Sequence, residues 1–329
     1  MIKKLISIGF ISCALLSSEV LSMHNQHQDF NPVPKSAKGP SVSPNIGFKV
    51  QNLGRGLYIV HDGSYQMMFL TTGKGVIVVD APPTTGQNIL TAISSVTSEP
   101  ITHVIYSHAH KDHIGAAHLY PDNATIIAHE DTLAQLAKFN DPDRPIPTKV
   151  FKDKLTLTLG NQKLQLDYRG LNHSPGNIYI YAPEQQVLML VDVIFPGWSP
   201  FKDLAAAESI EGFIEAHDIV LDYHFKHIVG GHLTRTGDRD DVIAQKQYIQ
   251  EIWDAAKVAN NTMDFNLAFS EATKRKGAEN PYAFIDILFN NIAEDCAKTI
   301  EDKWKEKLGG VDVFTFGHCM QISWFQRLH

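Results

Sequence analysis

Val104-Ile105-Tyr106-Ser107-His108-Ala109-His110-Lys111-Asp112-His113 is the stretch that decides how the rest of the chain reads. Its apolar head is a strand, and three imidazoles and one carboxylate fall within the six residues from His108 to His113. Neutral imidazole and carboxylate are ligands that suit zinc and related divalent ions. In an extended segment alternate side chains share a face, so His108 and His110 reach one ion. Asp112 and His113, just past the strand end, turn toward a second position. A surface cluster of incidental histidines is the competing explanation, and partners further along the chain weigh against it.

Working outward, three downstream features complete the set. His173 sits in the turn-rich loop Gly170-Leu171-Asn172-His173-Ser174-Pro175-Gly176. Asp192 lies inside the apolar run from Val187 to Ile194, which reads as a strand. A carboxylate buried there is costly unless something positive pairs with it. His232 follows Gly230-Gly231 at the end of a strand over 225–229. Upstream, Asp80 ends Val76-Ile77-Val78-Val79, an all-apolar run suited to a strand buried on both faces. Ligand sites in layered α/β folds gather at such strand ends.

The order His-x-His-x-Asp-His, then His, Asp and His, resembles the metallo-β-lactamase superfamily across roughly residues 47–236. The resemblance implies an α/β fold, an αββα sandwich with metals at one edge between two sheets. It implies that His108, His110 and His173 hold a first ion, that Asp112, His113 and His232 hold a second, and that Asp192 bridges both. The implied cofactors are two zinc ions, with iron or manganese as alternatives. Asp112 would face the reacting water as the catalytic carboxylate. Asp80 falls where family members often support the site from behind the ligands; a plain turn or cap residue is the equal alternative. Class B β-lactamases lack the bridging carboxylate, and flavo-diiron oxidoreductases replace the second motif histidine with glutamate, so Asp192 and His110 favour a hydrolase outside both groups.

The chain has 329 residues, 43% hydrophobic and 20% charged, with net charge −7. No long basic run is present, so neither nucleic acid nor an anionic membrane is the expected partner. Lys3 and Lys4 precede the apolar segment Leu5–Leu16, and Val20-Leu21-Ser22 offers a cleavage site; residues 1–22 read as a secretory signal peptide, too short to span a membrane. Export implies a periplasmic or secreted protein with no membrane anchor after cleavage. Residues 23–46, with four prolines after His24 and His27, read as a flexible linker. The expected metal-binding domain covers 47–237 and a helical C-terminal extension covers 238–329.

In that extension, 240–260 reads as one helix and 282–308 as another, the latter with Leu288, Ile292, Cys296, Ile300, Trp304 and Leu308 spaced by four on one buried face. These helices serve as a cover, a packing element or a dimerisation surface for a homo-oligomer. Cys296 and Cys319 remain after signal removal, and a disulfide between them is expected in an oxidising compartment, with two free thiols as the alternative. Tyr65 and Trp198 are candidate pocket-lining aromatics. The resulting expectation is an exported dinuclear zinc hydrolase of a small-molecule carbonyl ester or lactone. A β-lactam hydrolase and an iron-dependent oxidoreductase on the same scaffold are the alternatives.

Overall fold

A computed structural model describes residues 29–329. The signal-peptide reading, together with His24 and His27, falls outside them. Residues 31–329 form one unit built on two sheets. The first sheet runs in chain order: β1 (Lys49–Gly54), β2 (Leu57–His61), β3 (Gln66–Thr71), β4 (Val76–Val79), β5 (Ile101–Ile105), β6 (Thr125–His129) and β7 (Lys149–Phe151). β1 to β4 pair antiparallel, and β4 to β7 pair parallel. α1 (Asn88–Ser94) and α3 (Glu130–Phe139) are crossovers between the parallel strands, and the one-turn α2 (Lys111–Ile114) follows β5.

The second sheet has the order β12-β11-β10-β9-β8, formed by β8 (Lys154–Leu159), β9 (Gln162–Asp167), β10 (Tyr179–Ala182), β11 (Val187–Met189) and β12 (His227–Val229). Six further helices belong to this half: α4 (Lys202–Ala206), α5 (Ile210–Asp222), α6 (Arg239–Thr262), α7 (Phe265–Lys274), α8 (Pro281–Trp304) and, closing the set, α9 (Val311–Leu328), α4 being a single irregular turn.

Burial explains why the strands are so apolar. Ile77 and Val79 of β4 join Ile105, Ile127, Leu166, Ile180 and Met189 in the core between the sheets. Their neighbours Val76 and Val78 join Ile89 and Ile93 of α1 and Leu136 of α3 in the outer core. A strand with both faces covered cannot alternate, and this one does not. The third core lies on the far face of the second sheet, where Leu188 and Ile228 meet Phe213 of α5, Ile249 and Ile252 of α6, Ile292 and Ile300 of α8 and Ile322 of α9. The C-terminal helices therefore share one apolar core with the second sheet. The result is an αββα sandwich thickened on one side by helices. No helix among the described residues is long and apolar enough to cross a membrane.

Cys296 of α8 and Cys319 of α9 form a disulfide. The proline-rich segment read as a flexible linker is, over residues 31–46, fastened to this unit. The backbone N–H of Asn31 donates to Asp312, Ala37 is 1% exposed, and Trp198 Nε1 donates to the Ala37 carbonyl at 2.8 Å. Two strand readings also shift. β5 ends at Ile105, before the histidines, and β11 stops at Met189, leaving Asp192 in a turn with a left-handed backbone (φ 62°). Leu190 and Asp192 still donate to the carbonyls of Val229 and Gly230, so the pairing with the β12 chain continues without regular strand geometry.

Candidate metal centre

The seven residues singled out from sequence converge at one edge of the two sheets. After β5 the chain bends through Ser107–Ala109, and His110 takes the extended backbone that precedes α2 (φ −67°, ψ 142°). The short helix then presents Asp112 and His113 one turn further on. Alternation along a strand is thus not what pairs His108 with His110; a bend and a helix start do it. His173 arrives from the β9–β10 loop, Asp192 from the turn after β11, and His232 from the loop after β12.

Two ligand groups result. His108, His110, His173 and Asp192 offer donor atoms within 4.8 Å of one another, and so do Asp112, His113 and His232. Asp192 touches both groups. Its Oδ2 is 3.1 Å from His113 Nε2, 3.2 Å from His173 Nε2 and 3.4 Å from His108 Nε2, and its Oδ1 is 2.7 Å from His232 Nε2. Imidazole nitrogens also face each other directly, His173 Nε2 with His110 Nδ1 at 2.9 Å and His113 Nε2 with His232 Nε2 at 3.2 Å. Two such nitrogens need a proton or a cation between them. The fully buried His108 leaves its Nε2 without a hydrogen bond. Buried polar atoms left bare in this way fit a divalent ion, which the imidazole and carboxylate donors suit.

Burial and the shared carboxylate pull these groups in different directions. Burial drives His108 well below the usual imidazole range, into the neutral form that ligates metals. Burial pushes the Asp192 carboxyl up, but the imidazoles of His113, His108 and His173 override it and hold the group well below its ordinary value, ionised. His113 is lowered by burial and raised more strongly by Asp192, Asp112 and Asp80, reaching about 9.

A frame of hydrogen bonds holds the ligands. Asp80 takes a left-handed backbone (φ 66°), its Oδ1 accepts the Ser107 N–H at 2.8 Å, and its carbonyl accepts the Tyr120 hydroxyl at 2.6 Å. Burial raises its pKa to about 6 against the pull of His113 and the Ser107 hydrogen bond. Asp80 therefore fixes the loop that carries His108, and Ser107 Oγ lies 3.0 Å from His108 Nδ1 to set the ring. Tyr65 reaches the site: its ring packs 4.7 Å from His232 and 5.5 Å from His113, and it pairs with His232 through an isolated β-bridge. Trp198 is corrected. Its ring lies against Gly309 and its Nε1 donates to Ala37, so it anchors the N-terminal arm. Gly231 (φ 87°) admits no side chain, since a Cβ would stand 2.7 Å from Val191 and 3.2 Å from the His113 ring.

Several residues of this frame were not singled out beforehand. Gln245 of α6 is 1% exposed; it accepts the Phe195 N–H and donates to the Val193 carbonyl, bracketing the segment after Asp192. A polar residue in register with Val242, Ile249 and Ile252 was its only signal. Asn177 Nδ2 donates to Asn172 Oδ1 and to the Val191 carbonyl at 2.9 Å each, tying the His173 loop to the Asp192 turn. Arg144 donates to the Ala109 carbonyl at 2.7 Å. Beside the ligands lies a cleft of about 400 Å³ whose walls include His110, Lys111, Asp112, Phe139, Arg144 and Glu208.

The profile of the Metallo-beta-lactamase superfamily matches residues 62–245. Among curated proteins, the chain is 28% identical over 146 residues to the 2,4-dinitroanisole O-demethylase subunit alpha of Nocardioides sp. (strain JS1661), covering 43% of this chain and 44% of that one. It is 30% identical over 124 residues to a metallo-beta-lactamase type 2 of Bacillus cereus, covering 37% and 47%. The chain thus spans about half the length of the curated relatives it matches. Among solved structures, the metallo-beta-lactamase from Pontibacter korlensis superposes with a TM-score of 0.52 at 19% identity, over 61% of this chain and 99% of that one. At that identity the likeness speaks for the fold alone.

Proposed function

This chain belongs to the metallo-β-lactamase superfamily, and from that premise we propose that it is an exported hydrolase that holds two zinc ions and cleaves small carbonyl esters or lactones. The observation that carries the proposal is Asp192, whose two oxygens reach imidazoles of both ligand groups at 2.7–3.4 Å. One carboxylate shared between two sets of donors suits a pair of ions better than a single one. His108, His110 and His173 would hold the first, Asp112, His113 and His232 the second, and Asp192 both. When bound, such ions acidify water and polarise a carbonyl oxygen.

The remaining roles fall to the chain. In this reading Asp112, which lines the cleft with 43% of its side chain exposed, takes a proton from the attacking water and passes it to the leaving oxygen. Tyr65 lies beside Asp112; burial first, and then that carboxylate, push its hydroxyl up to about 12, which keeps it a hydrogen-bond donor at neutral pH. Export rests on the N-terminal reading together with the Cys296–Cys319 disulfide, which suits an oxidising compartment.

Metal analysis and a substrate panel test the proposal. We expect close to two zinc ions per chain and faster turnover of lactones and aryl esters than of phosphodiesters, penicillins or 2,4-dinitroanisole. Asp192→Ala should lose metal and at least about 100-fold in kcat/KM. A single iron with oxygen uptake overturns the hydrolase reading, and a penicillin turned over faster than every ester replaces the substrate class.

A further inference from the structure

The cleft beside the ligands is lined by two cations, and both are already engaged. Lys111 Nζ lies 3.1 Å from Asp141 and 3.6 Å from Asp143. The Arg144 Nε donates to Asp141 at 3.1 Å while its Nη1 donates to the Ala109 carbonyl at 2.7 Å. A substrate carboxylate entering here would have to displace a resident carboxylate from either. Glu208 lines the same cleft, is exposed, and forms no ion pair among the described residues. Apart from Asp112, which belongs to the ligand set, it is the free charge of the cleft.

Its position is built in by the fold. Asp203, Leu204, Ala205 and Ala206 are consecutive non-glycine residues with φ of 55°, 57°, 56° and 51°, one left-handed turn. Each such residue costs about 1–2 kcal/mol, so the turn persists only because its surroundings impose it. The buried His318 of α9 does so: its Nδ1 accepts the Leu204 N–H at 2.9 Å and its Nε2 donates to the Pro200 carbonyl at 3.1 Å. Just beyond the turn, the Glu208 N–H donates to the carbonyl of His173 at 2.9 Å, and the Ser209 N–H to that of Asn172 at 3.1 Å. The backbone of Glu208 is thus pinned to a ligand residue.

We infer that Glu208 sets the charge preference of the cleft, favouring cationic and neutral substrates over those with a free carboxylate. This deepens the ester reading and rests on it. It also separates that reading from its rival, because β-lactam antibiotics carry a carboxylate beside the scissile amide.

Three p-nitrophenyl esters of matched length test the inference: the butyrate, the glutarate monoester and the 4-(trimethylammonio)butyrate. The zinc-loaded full chain should prefer the cationic over the anionic ester in kcat/KM by several-fold, and Glu208→Lys should reverse that order, as expected when an exposed charge at the cleft wall changes sign. Isothermal titration of the three corresponding hydroxamates reads the same preference without turnover. If the cation-to-anion ratio is equal in the wild type and in Glu208→Lys, the inference is overturned. If no ester is hydrolysed but the hydroxamates keep the preference and its reversal, the ester reading falls and the role of Glu208 stands. If no ester is hydrolysed and no hydroxamate binds, both fall.

Discussion

Among the buried histidines, those around Asp192 differ from the pair His217 and His318, and the difference has a pH signature. Those around Asp192 face a carboxylate. His217 and His318 face backbone and amide groups: His217 Nδ1 donates to the Phe213 carbonyl while Gln245 bonds its Nε2, and His318 spans Leu204 and Pro200. Burial lowers His217 to about 4 and His318 to about 3. The unfolded chain protonates both near pH 6.5 and the folded chain does not, so their contribution is intact above that pH and is lost as the pH falls toward 4. Urea unfolding should show a drop of roughly 2 kcal/mol per residue between pH 6.5 and 4.5, and less in His217→Gln. A flat profile would contradict this. The candidate ligands were legible in sequence because imidazole and carboxylate stand out in clusters or in otherwise apolar runs. Gln245 and Asn177 were not, because an amide that braces a backbone leaves no such pattern.

Among elements, α9 shows where sequence periodicity fails. Its segment Val311-Asp312-Val313-Phe314-Thr315-Phe316-Gly317-His318-Cys319 is poor in strong helix formers. Tertiary packing supplies what propensity lacks: Cys319 and Ile322 are fully buried against the core, and the disulfide ties α9 to α8. α7 went unread for a related reason, since only Ala268 and Ala272 of its ten residues are buried. The helix over 282–308 was visible because its four-residue apolar spacing meets the core directly. Replacing both cysteines by alanine should lower stability by about 3 kcal/mol for a loop of this length, read as the shift in urea midpoint. The left-handed turn of α4 offers the opposite test. Ala206 is exposed with φ 51°, and Ala206→Gly should stabilise by about 1 kcal/mol. A destabilised variant would mean the turn is not strained.

Over the whole molecule, the candidate ligands come from residues 108–113, 173, 192 and 232, and ions shared among them would cross-link both sheets. Removing metal with a chelator should therefore lower the midpoint of the entire unfolding transition; zinc at a thousand times its Kd is worth about 4 kcal/mol. A calorimetric scan unchanged by chelation would show the site to be unloaded or uncoupled. The two halves followed from the strand and helix patterns, and the αββα layering from the family resemblance that the ligand motif carries. The fusion of the C-terminal helices with the second sheet did not, because a buried helix face does not say which surface it meets. That fusion makes the last helix a distant brace of the site. A chain cut before His318 would keep every candidate ligand, yet the turn that leads to Glu208 and the back of the His173 loop would lose its anchor. Such a truncation should weaken metal retention without removing a single donor.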